Sequence, residues 1–249
     1  LCAALAWRSG ALTAAGAVAL PEAPSPRRGE ILHWLALSTA GSAMLLAVTN
    51  HITQNVAAIP LLWIAPLTLY LVTFILAFEG GFYRTGIFWS FTLAWLAGMG
   101  WLLVDADRQF DLFLQLGMFL SGLFVTCLFC HGELYRLRPA PRHLTAYYLT
   151  IAAGGALGGL LVAVVAPLAF DGYYELGLGM VAVALLVALR CAGLRPLARN
   201  LSLAVLMGVT GAAIYDALRF QQDTRVASRN FCGVLRVKEY GTEGQPDHL

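Results

Sequence analysis

HGELYRLRPAPRHLTAYYLTIAAGGALGG, residues 131–159, is the stretch on which the reading of this chain turns. Its first half is Arg-rich, with Arg136, Arg138 and Arg142 set among Pro139 and Pro141. Its second half is an apolar helix carrying small residues in two offset pairs, Gly154/Gly158 and Gly155/Gly159. Charges of this density do not enter hydrocarbon, so the first half is expected to be a short loop at a membrane surface. Arg136, Arg138 and Arg142 then serve as cytoplasmic anchors and contacts to lipid phosphate. The paired glycines strip side-chain bulk from a helix face and let a neighbouring backbone come close.

Composition agrees with a membrane setting. The chain has 249 residues, of which 59% are hydrophobic and 12% charged, and its mean hydropathy is +0.72. Soluble domains carry about 25% charged residues. The ten-residue alternating segments of a transmembrane barrel are absent. A net charge of +2 gives no footprint for nucleic acid. The basic residues are all Arg except Lys238, which suggests a GC-rich bacterial gene and hence a multi-pass protein of the bacterial inner (cytoplasmic) membrane.

Apolar runs bounded by Gly, Pro or charge recur along the chain. They predict an all-α polytopic membrane protein of about seven transmembrane helices, each near the ~20 residues that cross the hydrocarbon core. The spans are expected at residues 31–49, 60–78, 87–104, 112–129, 144–170, 176–189 and 197–218, the sixth being short. Pro66 is expected to kink the second span, and Pro167 lies near the end of the fifth. Residues 1–30 read as the end of a preceding helix and a Pro/Arg linker, residues 31–218 as the transmembrane domain, and residues 219–249 as the start of a soluble region. Within the last of these, RNFCGVLRVKEY (229–240) alternates like one or two strands. Both ends look cut, as in a central piece of a longer polypeptide.

Loop charge sets the orientation. Arg27, Arg28, Arg84, Arg136, Arg138, Arg142, Arg190, Arg195 and Arg199 fall on one side, which should be cytoplasmic. An odd number of spans would then carry the tail to the opposite face.

The strings NHITQNVAAIPLLWIAPLTLYLVTFIL, CHGELYRLRPAPRHLTAYYLTIAAGGALGG and RNFCGVLRV together resemble a family. The first two are similar to the membrane part, and the third to the opening β-region, of bacterial proteins that fuse a multi-span region to a spermidine synthase-like domain. These are the fused major-facilitator/spermidine-synthase proteins. The resemblance implies an aminopropyltransferase-like domain whose nucleotide-binding loop and acidic residues would lie beyond Leu249. GGALGG sits inside an apolar span and does not follow a strand, so it is no such loop. No catalytic residue of that chemistry falls within this chain.

Other constellations compete for a role. Cys127-Leu-Phe-Cys130-His131 matches the haem-attachment pattern, but it ends a helix on the cytoplasmic side and reads as incidental thiols. Polar NHITQN, residues 50–55, is the best ligand-binding candidate. Asn50 and Gln54 share a helix face, as do His51 and Asn55. They line a polar cavity or, alternatively, cap a span end. Glu133 and Arg136, three residues apart, read as a local ion pair. Asp105, Asp107 and Asp111 read as a solvated loop. No metal site and no cofactor is expected. The expected partners are the lipid bilayer and other membrane-protein subunits, with no nucleic acid. The leading functional expectation is an integral membrane scaffold or accessory subunit. A membrane-tethered aminopropyltransferase-like enzyme and a transporter of polyamines or small solutes are the alternatives. A transporter of cations would need acids deep in the membrane, whereas Glu79 and Glu175 lie at span ends.

Overall fold

The structure is a computed structural model and describes residues 25–55, 62–79, 83–105, 111–222, 226–230 and 233–237. The described chain runs α1 (Arg28–Asn55), α2 (Ile64–Phe78), α3 (Thr85–Val104), α4 (Leu112–Arg136), α5 (Leu144–Leu160), α6 (Glu175–Cys191) and α7 (Pro196–Gln222). A 3₁₀ turn, Pro141–His143, leads into α5. A π-turn, Leu161–Val165, and a last helical turn, Ala166–Ala169, extend it. Pro167 offers no N–H to a carbonyl of the preceding turn, and the wide turn just before it absorbs that loss.

Among the described residues, five helices are long and apolar enough to cross a membrane: Arg28–Thr53, Gly86–Val104, Leu112–Arg136, Pro141–Ala169 and Pro196–Gln221. The chain is therefore an all-α membrane protein. Of the about seven spans expected, two are short helices: α2 has 15 residues and α6 has 17. At 1.5 Å per residue, 15 residues reach only about 22 Å.

Two expected boundaries move outward. The first helix does not stop at Thr49 but continues through NHITQN to Asn55. There Thr49 donates its hydroxyl to Leu45 O at 2.6 Å and Thr53 donates to Thr49 O at 2.9 Å, so the polar side chains bond back onto their own helix and leave it intact. Likewise α4 continues past Phe129 to Arg136. The Arg-rich loop expected from His131 onward is thus confined to residues 137–140. Pro66 sits in the first turn of α2, where amides have no intrahelical partner, and it needs no kink.

Helix α1 is the hub, packed against α5, α4 and α6, with a smaller contact to α2. Helix α4 also packs on α2 and α3, and α7 on α6 and α3. Trp34, Met44 and Val48 of α1, Leu123 and Phe129 of α4, and Met180 and Val187 of α6 meet in one continuous core. The outer faces of α5 and α7 are apolar and uncovered, as at Leu149 (70% exposed) and Leu197 (78%). Such faces suit hydrocarbon.

The tightest helix pair is α1 with α5. A Cβ on Gly158 would stand 2.5 Å from Thr39 O, and one on Gly154 would stand 2.8 Å from Leu35 O. Ser38 donates to Ile151 O at 2.6 Å and Thr39 to Gly154 O at 3.1 Å, hydrogen bonds that only this closeness permits. Gly155 and Gly159 have looser surroundings. Their nearest neighbours would be Ser38 Oγ at 3.8 Å and Leu46 Cδ1 at 4.0 Å.

Beyond α7, Val226–Asn230 (β1) and Gly233–Val237 (β2) pair antiparallel, Val226 opposite Val237 and Asn230 opposite Gly233. The expected preceding helix and most of the linker (1–24), Pro60, Asp107, and residues 238–249 lie outside the described residues.

Candidate functional site

The ends of several helices converge on the last turns of α4. Leu134 O accepts the Leu137 amide at 3.1 Å and keeps a second lone pair, while Leu137 O lies just past the end of the helix. Tyr147 of α5 donates to Leu134 O at 2.7 Å, and Trp34 of α1 donates through Nε1 to Leu137 O at 3.2 Å. The two rings meet edge to face at 5.1 Å. This end of the bundle is thereby fixed by side chains from two neighbouring helices.

Glu133 lies one turn further in and is 1% exposed. Tyr83, just before α3, donates its hydroxyl to Oε1 at 2.8 Å. Arg136 reaches Oε2 through Nε at 2.9 Å and Nη2 at 2.8 Å. Arg190, in the last turn of α6, places Nε 3.3 Å from the same Oε2, within ion-pair range but outside hydrogen-bond geometry. The ring of Tyr83 lies against Gly132, where any Cβ would collide with it. Burial, then the adjacent carboxylate, push the Tyr83 phenol well above its ordinary range. It therefore remains a donor to Glu133.

Two residues further in, His131 is 2% exposed. Its Nδ1 is 3.1 Å from Thr73 Oγ1 of α2. Thr73 spends its single proton on Tyr70 O at 2.7 Å, so Nδ1–H is the donor to Thr73 and Nε2 carries the lone pair. The rings of Tyr70 and Phe74 each pack at 4.9 Å from the imidazole. Cys127 and Cys130 are fully buried on the same helix, with Cys127 Sγ 3.7 Å from Gly41 O of α1. The C-x-x-C-H run thus faces packed helices and has no opening for a macrocycle. Among the described residues, no group of three or more His, Cys, Asp or Glu side chains is placed to hold a metal ion.

The residues singled out in the sequence fall at separate places. Asn50 and His51 are half-buried near the end of α1, and His51 tilts against Phe119 at 4.3 Å. The side chains of Gln54 and Asn55 lie outside the described residues. Arg138 is exposed, with its guanidinium 4.9 Å from the Tyr135 ring centroid, and Arg142 is exposed in the 3₁₀ turn. Among these predicted residues, only Arg136 joins the Glu133 cluster. Tyr83, Thr73 and Arg190 were not foreseen. The one signal for Tyr83 and Arg190 was Glu133 itself, a carboxylate on the inner end of a long apolar helix, which demands partners from elsewhere.

Comparison with protein-family models, characterised proteins and solved structures finds no match to this chain.

Proposed function

We propose that this chain is the membrane-embedded scaffold of a larger assembly, a helical platform that carries a soluble region after α7. The observation that supports it most is the state of Glu133. Both carboxylate oxygens are engaged within the chain itself, one accepting from Tyr83 and the other from Arg136, with Arg190 in ion-pair range of the latter. An acid in that state holds helices together and offers no free ligand to a transported cation. Its neighbour His131 is likewise engaged, by Thr73.

The β-hairpin directly after α7 favours a second reading of the same architecture. On the resemblance to spermidine synthase-like fusion proteins, the hairpin begins a tethered aminopropyltransferase-like domain, with its chemistry outside this chain. The concentration of arginine at one end favours a cytoplasmic placement of that end, in a bacterial inner membrane.

The test is transport and ligand binding by the purified protein in liposomes. The scaffold reading predicts that putrescine and spermidine neither accumulate above empty liposomes nor raise the melting temperature. Saturable polyamine uptake would replace the scaffold by a transporter. Stabilisation by polyamine without uptake would favour the tethered-enzyme reading.

A further inference from the structure

Two guanidinium groups share one carboxylate at the basic end of the bundle. We propose that Arg136 and Arg190, held in place by Glu133 and Tyr83, bind the phosphodiester of an anionic phospholipid headgroup. The inference rests on this end lying at a membrane surface and does not need the scaffold role.

The charge count is the starting point. Glu133 carries one negative charge, its second oxygen is shared by both arginines, and its first is taken by a neutral phenol. One arginine would neutralise it. The second leaves a unit of positive charge fixed between the ends of α4 and α6. That charge is within reach from outside, because the Arg136 side chain is 40% exposed and that of Arg190 24%, against 1% for Glu133. A partly desolvated guanidinium with spare donors is matched by a planar, two-oxygen anion, and a phosphodiester is such an anion.

Position selects the lipid over a free anion. Arg136 is the last residue of α4 and Arg190 lies in the last turn of α6, at the end of an apolar bundle, where headgroup phosphates lie. Arg138 and Arg142, both exposed beside them, raise the local positive potential without joining the cluster. A net-neutral zwitterionic headgroup would gain less from this field than an anionic one.

The experiment is native mass spectrometry of the full chain in detergent, with phosphatidylglycerol and phosphatidylcholine of matched acyl chains offered as competitors. Wild type should retain phosphatidylglycerol preferentially, and millimolar inorganic phosphate should not displace it. R190Q should lower that preference on the order of five- to tenfold. R136Q should do the same. Each variant leaves one arginine against Glu133, a neutral pair, so the fold has no stranded charge. R138Q/R142Q should lower the preference less than either. Equal retention of the two lipids by wild type would overturn the proposal. So would an undiminished preference in both single variants. Displacement by inorganic phosphate would reassign the site to a soluble anion and overturn the lipid assignment.

Discussion

Glu133 shows how one residue can be half legible. Its pairing with Arg136 follows from three-residue spacing on a helix, because such residues stack on one face. Its pairing with Tyr83 and Arg190 does not, since these approach from the segment before α3 and from the end of α6. No periodicity encodes a contact between helices far apart in the chain. What the sequence does encode is the demand: a carboxylate carried inward by an apolar helix requires donors. The consequence is testable. E133Q keeps the shape and can still accept from Tyr83, but it leaves Arg136 and Arg190 facing each other without a counter-charge. Breaking a fully buried pair costs about 3–5 kcal/mol. Here the guanidiniums retain part of their hydration, so a loss of about 1–3 kcal/mol is expected. Thermal unfolding in detergent should show E133Q melting below wild type. A melting temperature unchanged from wild type would show that the cluster does not bind the helix ends together.

At the scale of elements, the small-residue pattern announced a close helix contact without saying which pair makes it. Gly154/Gly158 and Gly155/Gly159 differ by one residue, about 100° around the helix. The hydroxyls of Ser38 and Thr39, which reach carbonyls of α5, mark the 154/158 side as the one against α1. A paired substitution separates the two faces. G158L must push α1 away, because the obstruction is the backbone oxygen of Thr39 and not a movable side chain. Overpacking of this kind costs about 1–3 kcal/mol, and the lost Thr39 bond adds to it. A Cβ at Gly159 meets only the tip of Leu46, and G159L should be much milder than G158L. Unfolding by graded SDS compares them directly. Equal loss in both, or none in G158L, would contradict the assigned interface. Helix ends were the least legible feature. Polar runs such as NHITQN and HGELYR look like span limits, yet Thr back-bonding and the Glu133 cluster keep both helical.

At the scale of the molecule, composition and the recurrence of apolar runs were enough for an all-α membrane protein, because nothing but helices or closed barrels satisfies a backbone in lipid. The charge asymmetry was legible too. Trp34 with Leu137, Tyr83 with Glu133, and Arg190 with Glu133 gather the start of α1, the segment before α3, the end of α4 and the end of α6 at one end. Asp105, Asp111, Asp171 and Glu175, at the other ends of these helices or beside them, fall opposite. Whether α2 and α6 cross in full was not legible, because 15 and 17 residues sit at the limit of a span. The role of the hairpin was not legible either, since two strands alone do not make a core.

The basic end and the hairpin end of this bundle are expected to face opposite sides of one membrane. Single cysteines at exposed positions test it: A140C and G193C at the basic end, D171C and Q221C at the other. A membrane-impermeant maleimide is applied to right-side-out and to inverted vesicles, and labelling is measured above that of the unsubstituted chain, which has five cysteines, Cys127, Cys130 and Cys191 of them buried. A140C and G193C should react only in inverted vesicles, and D171C and Q221C only in right-side-out ones. Labelling of all four from a single side would contradict it.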